Sequence, residues 1–260
     1  MPRGGPPRRR QGPLFLIGWD VGGWNCERNA RSRDALVLLD RAGRLCGTPW
    51  RGNLRPVING ADGTRQWLEM LLGLCGVRMP RGVRAVLAID APLGFPEPFL
   101  ALAADRRPAG PVGTHAENPY LHRAAERWLM RHGLRPLSPL KDMIGSQATK
   151  AMHALARFAP VSTACGVWSD GVCLTAVETY PTGLRRSPGL RTEAAALAAG
   201  VLRGARGLPE RRDREDALLC ALLARRFALR PEDLAAPPPG TPEREGWIWL
   251  PRDALAMRGG

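Results

Sequence analysis

Short, nearly continuous apolar runs recur along the chain, and some of them stop at an acidic residue. These runs are Leu14–Asp20, Asp34–Asp40, Val83–Ile89 and Val172–Val177. Apolar runs of this length are typical of strands buried in a sheet, and the last two are followed directly by Asp90 and Glu178. The turn residues 41–44 lead into Leu45–Trp50, which we predict as a third strand. Near the end of the chain, Gly246–Pro251 has the pattern of a short edge strand.

Longer segments carry apolar residues three or four positions apart, the spacing of one helix face. These segments are Asp62–Cys75, Asn118–His132, Ile144–Phe158 and Glu210–Phe227. Three strands, a helix and a further strand are the opening of a ribonuclease H-like α/β fold, so we predict a mixed five-stranded sheet flanked by helices. Prolines and glycines recur over residues 97–160, which we interpret as a helical insertion over the sheet and not as a separate domain.

Length and composition favour one domain. A chain of 260 residues with 44% hydrophobic residues can bury a sizeable core. We place this domain at residues 13–260 and predict a disordered basic tail over residues 1–12. No apolar run approaches the ~20 residues of a membrane-spanning helix, and no signal-peptide core follows the tail. The sequence therefore predicts a cytoplasmic protein with no membrane partner.

The six cysteines are scattered and form no C-x-x-C pair, which argues against a zinc site. Several lie in apolar segments, where a cysteine behaves as a small hydrophobic residue. We therefore predict reduced thiols. A Cys165–Cys173 bridge across a hairpin is a less favoured alternative in a cytosolic chain.

The charge balance is strongly basic. Thirty-eight Lys and Arg residues face 24 Asp and Glu residues, a formal net charge of +14. This excess favours a polyanionic partner, with nucleic acid first. A surface charge that keeps the protein soluble is the alternative interpretation. The chain shows no internal repeat or heptad pattern, and its oligomeric state is left open.

Acidic residues at the ends of predicted strands are the strongest candidates for chemistry. Asp20, Asp90 and Glu178 each close a strand, and Asp213 and Asp216 lie three apart on one helix face. The ends of parallel strands gather at one edge of a sheet, so these carboxylates are expected to meet there. Such a cluster needs divalent cations to offset its repulsion, and carboxylate oxygens suit Mg²⁺ or Mn²⁺.

Each of these acids also has a structural interpretation. Asp20 and Asp90 stand before turns and are the acids for which we favour function. For Glu178, a plain surface position at a strand end is about as well supported. Asp213 lies near the start of the predicted helix, where acids are favoured electrostatically. Asp216 lies beside buried helix positions and is the better ligand candidate.

Candidate substrate contacts surround the first acid. Gly22 and Gly23 are expected to leave room for a metal ion and a phosphodiester backbone. Trp24 is a candidate platform for stacking a base. Arg123 and Arg127 lie one helical turn apart and suit a phosphate, although a solvated helix face explains them equally well. His115 and His122 are weaker candidates for substrate contacts.

Four motifs together resemble a known family. They are Gly18–Gly23 (Gly-Trp-Asp-Val-Gly-Gly), Ile89–Pro96 (Ile-Asp-Ala-Pro-Leu-Gly-Phe-Pro), Val177–Pro181 (Val-Glu-Thr-Tyr-Pro) and Asp213–Ala221 (Asp-Arg-Glu-Asp-Ala-Leu-Leu-Cys-Ala). Their order resembles that of domain of unknown function 429, whose members are described as predicted ribonuclease H-like nucleases. The resemblance implies a ribonuclease H-like fold. It also implies a metal site formed by Asp20, Asp90, Glu178 and Asp216.

Three functions remain open at the level of the sequence. The first is a metal-dependent nuclease in which two ions stabilise the attacking and leaving oxygens of phosphodiester hydrolysis. The second is a non-catalytic nucleic-acid-binding protein with the same fold and charge. The third, ranked below these, is an ATP-dependent phosphotransferase of the actin and sugar-kinase type. That fold normally needs two copies of the sheet unit and a second glycine-rich loop, and we find neither in the sequence.

Overall fold

The computed structural model describes residues 12–255, and there one mixed sheet of seven strands is flanked by helices on both faces. The predicted basic tail lies outside the described residues, apart from Gly12. The strands are β1 (Leu14–Asp20), β2 (Asp34–Asp40), β3 (Trp50–Gly52), β4 (Arg84–Asp90), β5 (Val161–Ala164), β6 (Val167–Ser169) and β7 (Leu174–Glu178). The α-helices are α1 (Arg55–Gly60), α2 (Thr64–Leu74), α3 (Glu97–Asp105), α4 (Ala124–Arg131), α5 (Gly145–Phe158), α6 (Pro181–Leu184), α7 (Pro188–Val201) and α8 (Gly207–Leu229). Within residues 12–255, no helix has the length and apolarity that crossing a membrane would require.

The strand order is β3-β2-β1-β4-β7-β6-β5. The three central strands β1, β4 and β7 run parallel, and the outer strands pair antiparallel. Asp20 is the register partner of Asp90, and Glu178 that of Ile89. The three acids that end the central strands therefore lie at one edge of the sheet, as the sequence predicted.

The prediction of five strands was wrong. The two additional strands, β5 and β6, form an antiparallel hairpin on the outer side of β7. They escape pattern analysis because they are only four and three residues long, and every residue of β5 is exposed. Strands this short carry too few positions for apolar alternation to show.

Two other predicted strands also differ from the structure. The third strand is Trp50–Gly52, not Leu45–Trp50, and Leu45 makes a single bridge to Leu39. Gly47 interrupts the run with a φ of +66°, a left-handed conformation that a strand does not have. Residues 246–251 form two isolated bridges and no strand.

Side chains of the central strands alternate between two apolar layers. Leu16 faces a layer built largely by α8, whereas Ile17 and Trp19 face a layer that contains α2 and α5. Residues 97–160 carry helices and no strand, as expected. Their helices do not form one cap, because α5 packs in the second layer and α4 in the first. All six cysteines are free, so the Cys165–Cys173 bridge is not formed.

Candidate active site

A cavity of about 260 Å³ opens at the carboxyl edge of the central strands. Asp20, Asp90 and Glu178 line it together with residues that follow these strands, among them Ala91 and Tyr180. Ligands of open α/β sheets bind outside the carboxyl ends of the strands, where loops replace the regular packing. This edge is therefore the place in the fold where the sequence-predicted acids meet a space for a ligand.

Helix α8 brings two further acids to this edge through a close approach to β1. A Cβ placed on Gly18 would lie 1.9 Å from the carbonyl oxygen of Ala217 and 2.4 Å from the backbone nitrogen of Ala221. A glycine inside a strand commonly marks such a contact, because another backbone takes the space of its side chain. The contact places Asp213 and Asp216 beside the end of β1, close enough for both charges to act on Asp20.

Asp20 and Asp90 differ from the other three candidate acids because neither carboxylate has a hydrogen bond or ion pair within residues 12–255. Burial and the charge of Asp90 raise the pKa of Asp20 well above its usual value, and Asp216, Asp213 and Asp34 add to this. Burial also raises the pKa of Asp90, with contributions from Asp216 and Glu178 that Arg185 opposes. Two adjacent carboxylates that are not held in an ion pair are what a bound cation would stabilise.

The acids on α8 have arginine partners. Arg185 Nη2 lies 2.6 Å from Asp216 Oδ1, and Arg51 Nε donates to Asp213 Oδ2 at 2.7 Å. The backbone nitrogen of Arg33 also donates to Asp213. Burial raises the pKa of both aspartates, although their arginine partners oppose the shift. In this conformation the charge of each acid is therefore balanced by an arginine of the same chain.

Glu178 is buried, 2% exposed, and not the plain surface residue that a strand end often carries. Its Oε2 accepts hydrogen bonds of 2.8 Å from Arg123 Nη1 and from the backbone nitrogen of Leu93. Arg123 also donates to Glu126 and to the carbonyl oxygen of Glu245. Burial raises the pKa of Glu178, and Arg123 opposes that shift. This buried network ties α4, β7 and the loop of residues 91–96 into one wall of the cavity.

Neither interpretation of Arg123 and Arg127 as a pair was right. Arg123 is fully buried, and its guanidinium is occupied by Glu126 and Glu178, so it is neither a solvated residue nor an uncommitted phosphate ligand. Arg127 Nη1 donates to the carbonyl oxygen of His122 at 2.6 Å. Arg123 precedes α4, so the two side chains do not share one regular helix face.

The glycines after Asp20 are packed against the chain itself. A Cβ on Gly22 would lie 2.7 Å from backbone atoms of Arg33 and Asp34, and one on Gly23 would lie 2.9 Å from Ser146 Oγ. The space that a side chain would take at these two positions is therefore filled by protein, and neither glycine lines the cavity. Trp24 lies outside the wall of the cavity, and its Nε1 donates to Thr149 Oγ1 at 3.1 Å.

A buried ion pair that sequence analysis missed holds this loop. Asp34 and Lys150 are both fully buried and paired. Asp34 accepts hydrogen bonds from Trp19 Nε1 and from the backbone nitrogen of Gly22, each 2.9 Å long. Lys150 donates to the carbonyl oxygens of Gly22 and Gly23. The only signal in the sequence was a rare lysine inside an apolar helix face, since a buried lysine needs a partner.

Only some of the candidate acids are placed to bind a divalent cation. In the part of the chain that the structure describes, no three His, Cys, Asp or Glu side chains are placed to hold one metal ion. Mg²⁺ commonly keeps several waters and binds through one or two carboxylates plus phosphate oxygens. Asp20 and Asp90 fit that mode. The fuller set with Glu178, Asp216 and Asp213 is committed to arginines as the side chains stand.

Comparison of the chain with protein-family models, with curated proteins and with solved structures gives no match. The candidate site therefore rests on its own geometry.

Proposed function

We propose that the protein is a divalent-metal-dependent hydrolase that cleaves phosphodiester bonds of nucleic acid, with Mg²⁺ or Mn²⁺ bound by Asp20 and Asp90. One observation carries this proposal. The two carboxylates are register partners on neighbouring parallel strands, line one cavity, and have no hydrogen bond or ion pair within residues 12–255. Unpaired carboxylates at partly buried positions destabilise the fold. A cation-binding role explains why two of them are kept side by side.

The proposed chemistry needs few protein groups. Asp20 and Asp90 would supply oxygen ligands, and a bound divalent ion would offset phosphate charge and lower the pKa of a water. Asp216 would join them when Arg185, whose side chain is 41% exposed, leaves it for a phosphate oxygen. Glu178 keeps its bond to Arg123 and positions the cavity wall. It is not a ligand in this proposal.

The charge of the chain supports a polyanionic substrate. The formal net charge of +14 favours association with nucleic acid, and such binding weakens as salt concentration rises. The resemblance to domain of unknown function 429 points to the same class of reaction. An ATP-dependent phosphotransferase of the actin type is less favoured, because residues 12–255 form a single sheet where that fold has two units.

The test is cleavage of labelled DNA and RNA with Mg²⁺ or Mn²⁺ by the wild type, Asp20→Asn and Asp90→Asn. Removing one of the two carboxylates that bind the proposed metal ion is expected to reduce the cleavage rate by at least about a hundredfold. Asp62→Asn, the same chemical change at an exposed position, is the matched control and should cleave like the wild type. Equal cleavage by wild type and Asp20→Asn would identify a contaminating nuclease and refute the proposal.

Binding measurements distinguish the proposed hydrolase from the second candidate function. A non-catalytic nucleic-acid-binding protein would show salt-sensitive binding that a chelator leaves unchanged, and no cleavage with either metal. Calorimetry with Mg²⁺ alone gives an independent reading of the metal site. The wild type and Asp62→Asn should release or absorb heat on binding, whereas Asp20→Asn should not.

A further inference from the structure

A second cavity, of about 540 Å³, lies next to the first, and four of its nine lining residues carry nitrogen-bearing side chains. His115, His122, Arg135 and Lys141 contribute to its wall, together with one acid, Asp142. Pro136 lines both cavities, so the two are neighbours. The proposed hydrolysis uses none of the four basic side chains.

His122 is the residue that the rest of the fold leaves unexplained. It is 3% exposed, and both its ring nitrogens are buried without a hydrogen-bond partner within residues 12–255. Burying a polar group without a partner costs free energy, so native structures rarely do so without reason. A ligand that accepts a hydrogen bond from the imidazole would remove this cost.

The surroundings of His122 favour an anion. Lys141 Nζ lies 2.9 Å from His115 Nε2, and the ring of His115 packs 5.1 Å from that of His122. One carboxylate oxygen of Asp142 already has a partner, since Oδ2 accepts a hydrogen bond of 2.8 Å from the backbone nitrogen of Ser138. Its Oδ1 lies 3.7 Å from Lys141 Nζ. Basic groups therefore outnumber the single acid on this wall.

Burial and the basic side chains around it disfavour the protonated form of His122. Burial lowers the pKa of His122, and the nearby His115 and Lys141 lower it further, although Glu126 and Asp142 oppose them. Glu126 is itself held by Arg123. An anion placed between these groups would stabilise the protonated ring and reverse the shift.

We propose that this cavity binds a phosphate group, through His122 and Lys141 with support from His115 and Arg135. Phosphate offers several acceptor oxygens and a charge that matches two basic side chains and a protonated imidazole. The group belongs either to a small phosphorylated compound or to a nucleic acid strand that extends from the neighbouring cavity. The binding does not depend on hydrolysis at Asp20 and Asp90.

The test follows the imidazole rings by NMR in protein with isotope-labelled histidine, in the presence of a chelator. The chain has four histidines, so each ring signal can be assigned by one substitution. Inorganic phosphate is titrated first and a single-stranded oligodeoxynucleotide second. The signals of His122 and His115 should move, and the pKa of His122 should rise. His153, which packs against Trp24, should not respond.

Lys141→Gln is the test variant, and Arg131→Gln is the matched control. Both remove one exposed or half-exposed positive charge, but Arg131 lies on α4 and does not line the cavity. Losing one charge-assisted contact should weaken phosphate binding about tenfold in Lys141→Gln, and leave Arg131→Gln like the wild type. A response to phosphate alone identifies a small compound, and a response to the oligonucleotide identifies a strand.

The proposal is overturned if the ring of His122 responds to neither probe, or if Lys141→Gln binds as tightly as Arg131→Gln. Asp20→Asn separates this site from the proposed hydrolase. That variant should lose cleavage and still move the His122 signal. Retained phosphate binding with no cleavage in the wild type would refute the hydrolase and leave the phosphate site standing.

Discussion

Asp20→Asn is expected to stabilise the metal-free protein at neutral pH. The substitution keeps the shape of the side chain and removes a partly buried charge that has no ion pair within residues 12–255. Ordinary surface Asp→Asn changes have little effect on stability, and changes at paired acids are destabilising. A gain in stability at this position would therefore be a direct sign of a site kept for function at a cost to the fold.

The magnitude follows from the register of the two acids. Asp20 and Asp90 are partners on adjacent strands, and neighbouring strands lie about 5 Å apart. Two unit charges at about 5 Å with an effective dielectric constant of about 20 repel by roughly 3 kcal/mol. Partial protonation relieves some of this repulsion, so we expect a gain of about 2 kcal/mol. For a domain of this size that corresponds to a rise in Tm of roughly 4–8 °C.

The pH dependence has a defined sign. Burial and neighbouring acids raise the pKa of Asp20 in the folded state above the ordinary value of 3.8. At pH values between the unfolded and the folded pKa of Asp20, the folded state binds more protons than the unfolded state. The stability of the wild type therefore falls as pH rises through that range. The advantage of Asp20→Asn should be absent near the unfolded pKa and fully present above the folded pKa.

Urea unfolding with a chelator, repeated from acidic to neutral pH, measures the free energy of unfolding of wild type, Asp20→Asn and Asp62→Asn. Asp62→Asn should follow the wild type throughout. Added Mg²⁺ should stabilise the wild type and not Asp20→Asn. The difference in the free energy of unfolding between the two proteins should therefore become smaller. A variant less stable than the wild type at neutral pH, or a difference that does not vary with pH, would refute the reasoning.

Three further predictions test the elements that position the site. Gly18→Ala should destabilise the fold by about 1–3 kcal/mol through its clash with α8, whereas Gly73→Ala, with open space around it, should not. Chemical denaturation of both variants decides this, and equal stabilities would contradict the close approach. Lys150→Met should cost about 3–5 kcal/mol in the same assay because it leaves Asp34 charged and unpaired; a loss below about 1 kcal/mol would show that the pair is not needed. Arg185→Gln should tighten Mg²⁺ binding about fivefold in calorimetry by removing ~1 kcal/mol of repulsion, and weaker binding would count against a metal ion at this edge.

Local patterns were sufficient for the centre of the fold. β1 and β2 have the predicted bounds, β4 is shifted by one residue towards the C-terminus, and α5 begins one residue later than predicted. These elements carry long apolar runs or a clear helical period, both of which are written in neighbouring residues. The position of the acids at strand ends could be read in the same way, since each follows directly from its run.

The partners of those acids were decided by the tertiary structure. Arg123 is 55 positions from Glu178 along the chain, and Arg51 is 162 positions from Asp213. No local pattern couples residues so far apart, because such pairs form only when packing brings their elements together. The sequence by itself determined where the acids stand. The approach of α8 to Gly18 and the arginines from distant segments decided that Asp20 and Asp90 alone, among the five candidate acids, face the cavity without a partner.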